Sequence, residues 1–244
     1  MIEVEMYGSG QDVVVLHGVP VPPESVEAIY EELAKSYRVW VPDYNGLGVS
    51  PRETGSHLEE ALLAKGVKEA AVVGHSFGAY HGFQLARSSA LRVTRLAAIS
   101  PLVYLPEEVA AGYEELAAAL EADALDITEV LLGQWFTPEF LAGNDKLEPI
   151  VRGWFDDLGK EAIITAARVD SIGGPDLRPT LGDIDVPVYI RVGAQDQATP
   201  PEWSKEIAEL LPDAEFDIVE NVGHFPHFED RRATLKAIGR FLGK

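Results

Sequence analysis

The stretch VVGHSFGAYHG, residues 72–82, places one serine between two glycines, with a histidine directly before it and another five positions on. An apolar run beginning EAA at residue 69 leads into it, and a helical pattern, FGAYHGFQLARSS at 77–89, leads out. Its centre, GHSFG at 74–78, is a G-x-S-x-G pattern in the strand–turn–helix setting where that pattern carries chemistry. A strand turning straight into a helix brings two backbones close together, so Gly74 and Gly78 are needed for their size. Ala79, also small, lets the helix sit near the adjoining strand. Ser76 then stands at the apex, with the helix N-terminus behind it and the Phe77 N–H facing the same small volume. Neighbouring side chains diverge at such an apex. His75 is therefore expected to pack behind the turn or bond to backbone, and His81 to be structural. The base that would activate Ser76 has to come from elsewhere in the chain.

Outward from this turn, short apolar runs alternate with amphipathic ones. Strands are expected at 12–18, 37–43, 69–76, 93–101, 186–196 and 214–224, and helices at 22–36, 57–66, 77–89, 201–211 and 229–243. In the first helix Val26, Ile29, Tyr30 and Leu33 share one face. The alternation implies an α/β fold: a mostly parallel, doubly wound sheet with helices on both faces. It breaks over 103–180, which is mostly helical, with loop signals at Pro138, Gly143–Asn144 and Gly173–Gly174–Pro175. Residues 1–102 and 181–244 read as the core, and 103–180 as a helical cap inserted over one end of the sheet.

Bulk properties narrow the function. The 244 residues are 46% hydrophobic and 25% charged, enough for one domain with a substantial core. The formal charge of −20 disfavours nucleic acid and anionic lipid as partners. With no cysteine, thiolate catalysis and zinc–thiolate sites are excluded. MIEVEMYGSG lacks the pattern of a signal peptide and no apolar run has the length of a membrane span, so a cytoplasmic location is expected.

A serine hydroxyl needs a base to take its proton, and the base needs a carboxylate to orient it. Both should lie at the carboxyl edge of the sheet, where ligands bind in open α/β folds. The strand in IRVGAQDQATPP (190–201) runs into a loop carrying Asp196, and that in IVENVGHFPHFE (218–229) into one carrying His224. His227 competes with His224 but lies near the start of the last helix. Asp170, Asp183 and Asp185 lack the strand-end position and read as solvated loop carboxylates. LHGVP at 16–20 offers a second oxyanion donor, the Val19 N–H, with His17 bracing the loop. Pro20 has no N–H to give.

LHGVP, PDYNGLGVS, GHSFGA, VGAQDQATPP and VGHFPHFE together resemble the α/β-hydrolase fold family, in its order and across the whole chain. The resemblance implies Ser76 as nucleophile, Asp196 as acid, His224 as base, Val19 and Phe77 as oxyanion donors, and Asp43 as a structural residue. QWFTPEFL at 134–141 and DQATPP are similar to the branch of 3-oxoadipate enol-lactonases and small esterases. That branch often has Arg where Gln134 stands, and its first antiparallel strand is here missing or merged with IEVEMY.

The expected function is a serine hydrolase of small carboxylic esters or lactones, which requires no metal or organic cofactor. Perhydrolase (haloperoxidase-like) or lyase chemistry on the same triad, and a non-catalytic binding protein on the same fold, are the alternatives. Trp135, Phe136, Trp154 and Phe155 either wall an apolar pocket or pack the cap onto the core. Arg168 either anchors a substrate carboxylate or sits in a surface ion pair. The expected partner is a small ester or lactone, with a homodimer left open.

Overall fold

The structure, a computed structural model, describes residues 2–88, 90–171, 174 and 176–243, with the side chains of 169–171 also outside the description. Seven strands form one sheet: β1 (Glu3–Gly8), β2 (Asp12–Leu16), β3 (Arg38–Asp43), β4 (Glu69–His75), β5 (Arg92–Ile99), β6 (Val188–Gly193) and β7 (Ala214–Val219). Their spatial order is β1-β3-β2-β4-β5-β6-β7. All neighbours are parallel except β1 and β3, which pair antiparallel from Glu3 opposite Asp43 to Gly8 opposite Arg38. Of the two alternatives for the first antiparallel strand, missing or merged with IEVEMY, the structure shows the second: β1 lies within that segment. β3 and β4 lie on opposite sides of β2, so the winding reverses there and opens a crevice at the carboxyl ends of β2 and β4.

Period-two alternation decides which face each residue enters. Val14, Leu16, Val72, Leu96, Ala98 and Ile190 face one way. There they meet Leu58 and Leu62 of α2 (Pro51–Ala64), Phe83 of α3 (Phe77–Ala86) and Ile207 of α9 (Pro201–Leu210). Val13, Val15, Val39, Val41, Val73 and Tyr189 face the other way. They pack on Ile29 and Leu33 of α1 (Glu27–Leu33) and on Ile238 and Phe241 of α11 (Arg231–Leu242).

Several helix boundaries differ from the sequence expectation. The segment at 22–36 is a 3-10 turn, Pro23–Val26, followed by α1, yet Val26, Ile29, Tyr30 and Leu33 are all buried. α2 begins at Pro51, well before 57, because Ser50 caps it: the Ser50 hydroxyl accepts from Glu53 N–H, and the Glu53 carboxylate accepts from Ser50 N–H at 3.0 Å. The last helix, expected from 229, starts at Arg231, after a short helix α10 (Pro226–Glu229) in the preceding loop and a non-helical Asp230.

Between β5 and β6 run α4 (Glu107–Glu121), α5 (Ile127–Trp135), α6 (Pro138–Ala142), α7 (Leu147–Leu158) and α8 (Lys160–Ser171). Along α7 the buried residues Leu147, Val151, Trp154 and Phe155 repeat at helical spacing. They join Leu131, Trp135 and Phe136 in a separate apolar cluster that closes on Val21 and Phe225 from the sheet-edge loops. The cap is thereby held to the loops that surround Ser76. Gly173 and Pro175, expected to mark a loop after α8, lie outside the described residues. Among the described residues no helix is long and apolar enough to cross a membrane.

Candidate active site

Ser76 sits between β4 and α3 with φ 55° and ψ −122°, a conformation costly for any residue with a side chain. Hydrogen bonds over-determine it. Its N–H donates to the Ile99 carbonyl at 2.9 Å, and its own carbonyl accepts from Ala79 N–H at 2.9 Å. The glycines of the motif are there for close approach. A Cβ on Gly74 would lie 2.4 Å from the Gly78 carbonyl oxygen, and one on Gly78 would lie 2.3 Å from the Leu16 carbonyl oxygen. Only hydrogen fits at either place.

Asp196 lies just past β6 and His224 just past β7, and both are buried. His224 Nδ1 is 2.9 Å from Asp196 Oδ2 and 3.0 Å from Oδ1. A carboxylate only accepts, so the proton is on Nδ1 and Nε2 is left as a base. The Ala198 and Thr199 N–H groups hold Asp196 Oδ1 at 3.0 and 2.9 Å. Thr199, in the sequence a mere neighbour of the loop prolines, has its hydroxyl 3.0 Å from Asp196 Oδ2, 3.0 Å from the Ser100 carbonyl and 3.2 Å from His224 Nδ1. It ties the acid loop to the end of β5.

The histidine loop is clamped as firmly. His224 N–H donates to the Trp135 carbonyl at 2.7 Å. The Glu229 carboxylate accepts from Gly223 N–H at 2.8 Å and from the Thr137 hydroxyl at 2.6 Å, so one side chain joins the cap to the loop. Burial holds the Glu229 carboxyl above its ordinary range, and those bonds offset only part of the rise. His75 bonds to backbone, one of the two roles expected of it: its Nε2–H donates to the His224 carbonyl at 2.9 Å. Burial holds its pKa well below the ordinary histidine range, so it stays neutral. His81 is bonded to Gln84 Oε1 through Nδ1 at 2.9 Å. His227 donates to the Ser25 carbonyl at 2.9 Å and does not line the cavity that holds Ser76. Asp183 and Asp185 are exposed, and the Asp170 side chain lies outside the described residues.

Ser76 and His224 line one cavity of about 630 Å³, together with Gly18, Val19 and Phe77. A Cβ on Gly18 would lie 3.3 Å from Ser76 Cβ, so the loop after β2 rests directly against the serine. Phe77 opens α3, where the first N–H groups have no partner within the helix and the dipole is positive. Behind the loop, His17 is buried, stacks on Tyr44 at 3.9 Å and lies 3.7 Å from Asp43. Burial lowers its pKa to about 4. Asp43 also accepts from Asn45 N–H at 3.0 Å, within the turn after β3.

The candidate pocket residues are sorted by packing. Trp135 lines the cavity. Phe136, Trp154 and Phe155 do not: they are buried in the cluster that seats the cap, with Phe136 stacked on Phe225 at 5.1 Å. Arg168 does not reach the cavity either. Its two terminal nitrogens each lie 2.7 Å from Glu121 on α4, an exposed ion pair. Aromatic residues on a cap helix satisfy core packing and pocket lining equally in sequence, and only the helix's rotation separates the two.

A model of the Alpha/beta hydrolase family matches residues 13–237. The chain belongs to that family. It is 25% identical over 248 residues to the pimeloyl-[acyl-carrier protein] methyl ester esterase of Chromobacterium violaceum, covering 98% of this chain and 97% of that one. Among solved structures, a thermophilic esterase from Thermogutta terrifontis is similar with a TM-score of 0.88 at 23% identity, over 99% of this chain and 92% of that one. The enol-lactonase from Burkholderia xenovorans gives 0.88 at 20%, over 100% and 96%. At these identities the two structures speak for a shared fold, and the hydrolase's substrate must be argued from its own residues.

Proposed function

We propose that this α/β hydrolase cleaves small carboxylic esters or lactones through an acyl-enzyme on Ser76. One observation carries the reading: a strained serine at a strand–helix elbow shares a cavity with a histidine whose Nδ1–H is bound by a buried carboxylate. His224 Nε2 takes the Ser76 proton as the hydroxyl oxygen attacks the ester carbonyl. Asp196 holds the ring in that tautomer and stabilises the imidazolium that forms. The Val19 and Phe77 N–H groups receive the negative charge that develops on the carbonyl oxygen. His224 then protonates the leaving alcohol and activates the water that releases the acid. The relatives named as esterases and lactonase act on the same bond type.

The test is hydrolysis of p-nitrophenyl acetate and butyrate by wild type and Ser76→Ala. The variant is expected to lose activity by at least about a thousandfold. Equal rates in the two proteins would overturn the proposal.

A further inference from the structure

The cavity over Ser76 offers a substrate almost no charge. Among the described residues that line it, the only Asp, Glu, Lys or Arg is Glu115, on the exposed side of α4. Leu102, Leu131 and Ile163 contribute buried apolar wall, and Val109 and Leu116 extend it along α4. Between β5 and β6, four basic side chains are held in ion pairs. Arg152 is held by Asp126 and Glu148, Lys160 by Asp123, and Arg168 by Glu121. Arg178 lies 3.6 Å over the Tyr104 ring and is paired with Asp176 and Glu206. The chain as a whole carries a formal charge of −20.

We infer that the site selects esters with an uncharged acyl chain and rejects those bearing a second, ionised carboxylate, with Glu115 adding to the rejection. The inference rests on the ester-hydrolase reading and names its substrate class. A carboxylate carried in along these walls would lose water and find no lysine or arginine to pair with, since Tyr113, Gln134 and Gln197, polar residues of the lining, carry no charge. An aliphatic chain would shed water to advantage on the same surface. At the solvent edge Glu115 repels an anion before it enters, an effect that salt screens.

A matched pair of methyl esters tests this: methyl heptanoate against monomethyl pimelate, which has the same acyl length and ends in a carboxylate. At low ionic strength wild type is expected to favour the neutral ester by at least about tenfold in kcat/KM, mostly through KM. Glu115→Lys should narrow that ratio by about threefold or more, Glu115→Gln by less, and added salt should shrink the effect of both. Hydrolysis of monomethyl pimelate as efficient as that of methyl heptanoate by wild type would overturn the inference. A ratio unmoved by Glu115→Lys would overturn the part given to Glu115. p-Nitrophenyl acetate run beside them separates the two levels, since loss of every ester activity would count against the hydrolase reading itself.

Discussion

Ser76 holds a backbone conformation that costs on the order of 1–3 kcal/mol, and its surroundings are built to keep it there. Gly78 is part of that support. Its missing Cβ would press on two backbone carbonyls, 2.3 Å from Leu16 O and 2.5 Å from His17 O, neither of which can swing aside. Gly78→Ala is therefore expected to destabilise the fold by at least about 2 kcal/mol and to shift Phe77 N–H relative to Ser76. A lower urea midpoint and a larger loss in kcat than in KM would show it, and a variant with wild-type midpoint and rate would contradict it. The role of these glycines is legible in the sequence because G-x-S-x-G encodes a steric requirement. The ties that Thr199 and Glu229 make to distant segments are not, since those partners lie across the fold. The Thr199 hydroxyl reaches Ser100, and Glu229 reaches Thr137, contacts that no spacing along the chain announces.

At the scale of elements, the site depends on how loops are tied to the cap. Glu229, just before the break between α10 and α11, receives Gly223 N–H and both the N–H and hydroxyl of Thr137. Glu229→Ala leaves those donors without their acceptor next to His224. The expected cost is about 2 kcal/mol, or several degrees in Tm, together with a lower kcat. Unchanged melting and kinetics would show that the tie is not used. The helix boundaries teach the complementary lesson. The start of α2 was written in the sequence as Ser50-Pro51-Arg52-Glu53, a capping box preceding a weakly amphipathic segment, and hydrophobic periodicity alone passes over it. The partition of cap aromatics between wall and core follows from the rotation of α5 and α7, a tertiary outcome.

For the whole molecule, buried histidines set the response to acid. Burial lowers the pKa of His17, His81 and His227 to about 4 and holds His75 well below its usual range. Unfolding frees these rings to bind protons near pH 6.5. The unfolded state therefore binds more protons below that pH, and stability, complete above it, is lost as pH falls from about 6.5 towards 4. A ring at 4 forfeits about 2 kcal/mol by pH 5. Urea midpoints should fall steadily from pH 7.5 to 5, and a flat profile would contradict the burial of these rings. The sheet, its winding and the placing of Ser76, Asp196 and His224 at one edge were legible because strand-end loops in a parallel sheet converge.

The proposed mechanism turns on acylation of Ser76. Acid-quenched mixtures of the enzyme with p-nitrophenyl acetate, or with a fluorophosphonate, can be digested and weighed by mass spectrometry. The peptide containing residues 72–82 should gain one acyl or phosphonyl group on Ser76, and Ser76→Ala should gain none. An adduct on another residue, or turnover with Ser76 unmodified, would contradict the account.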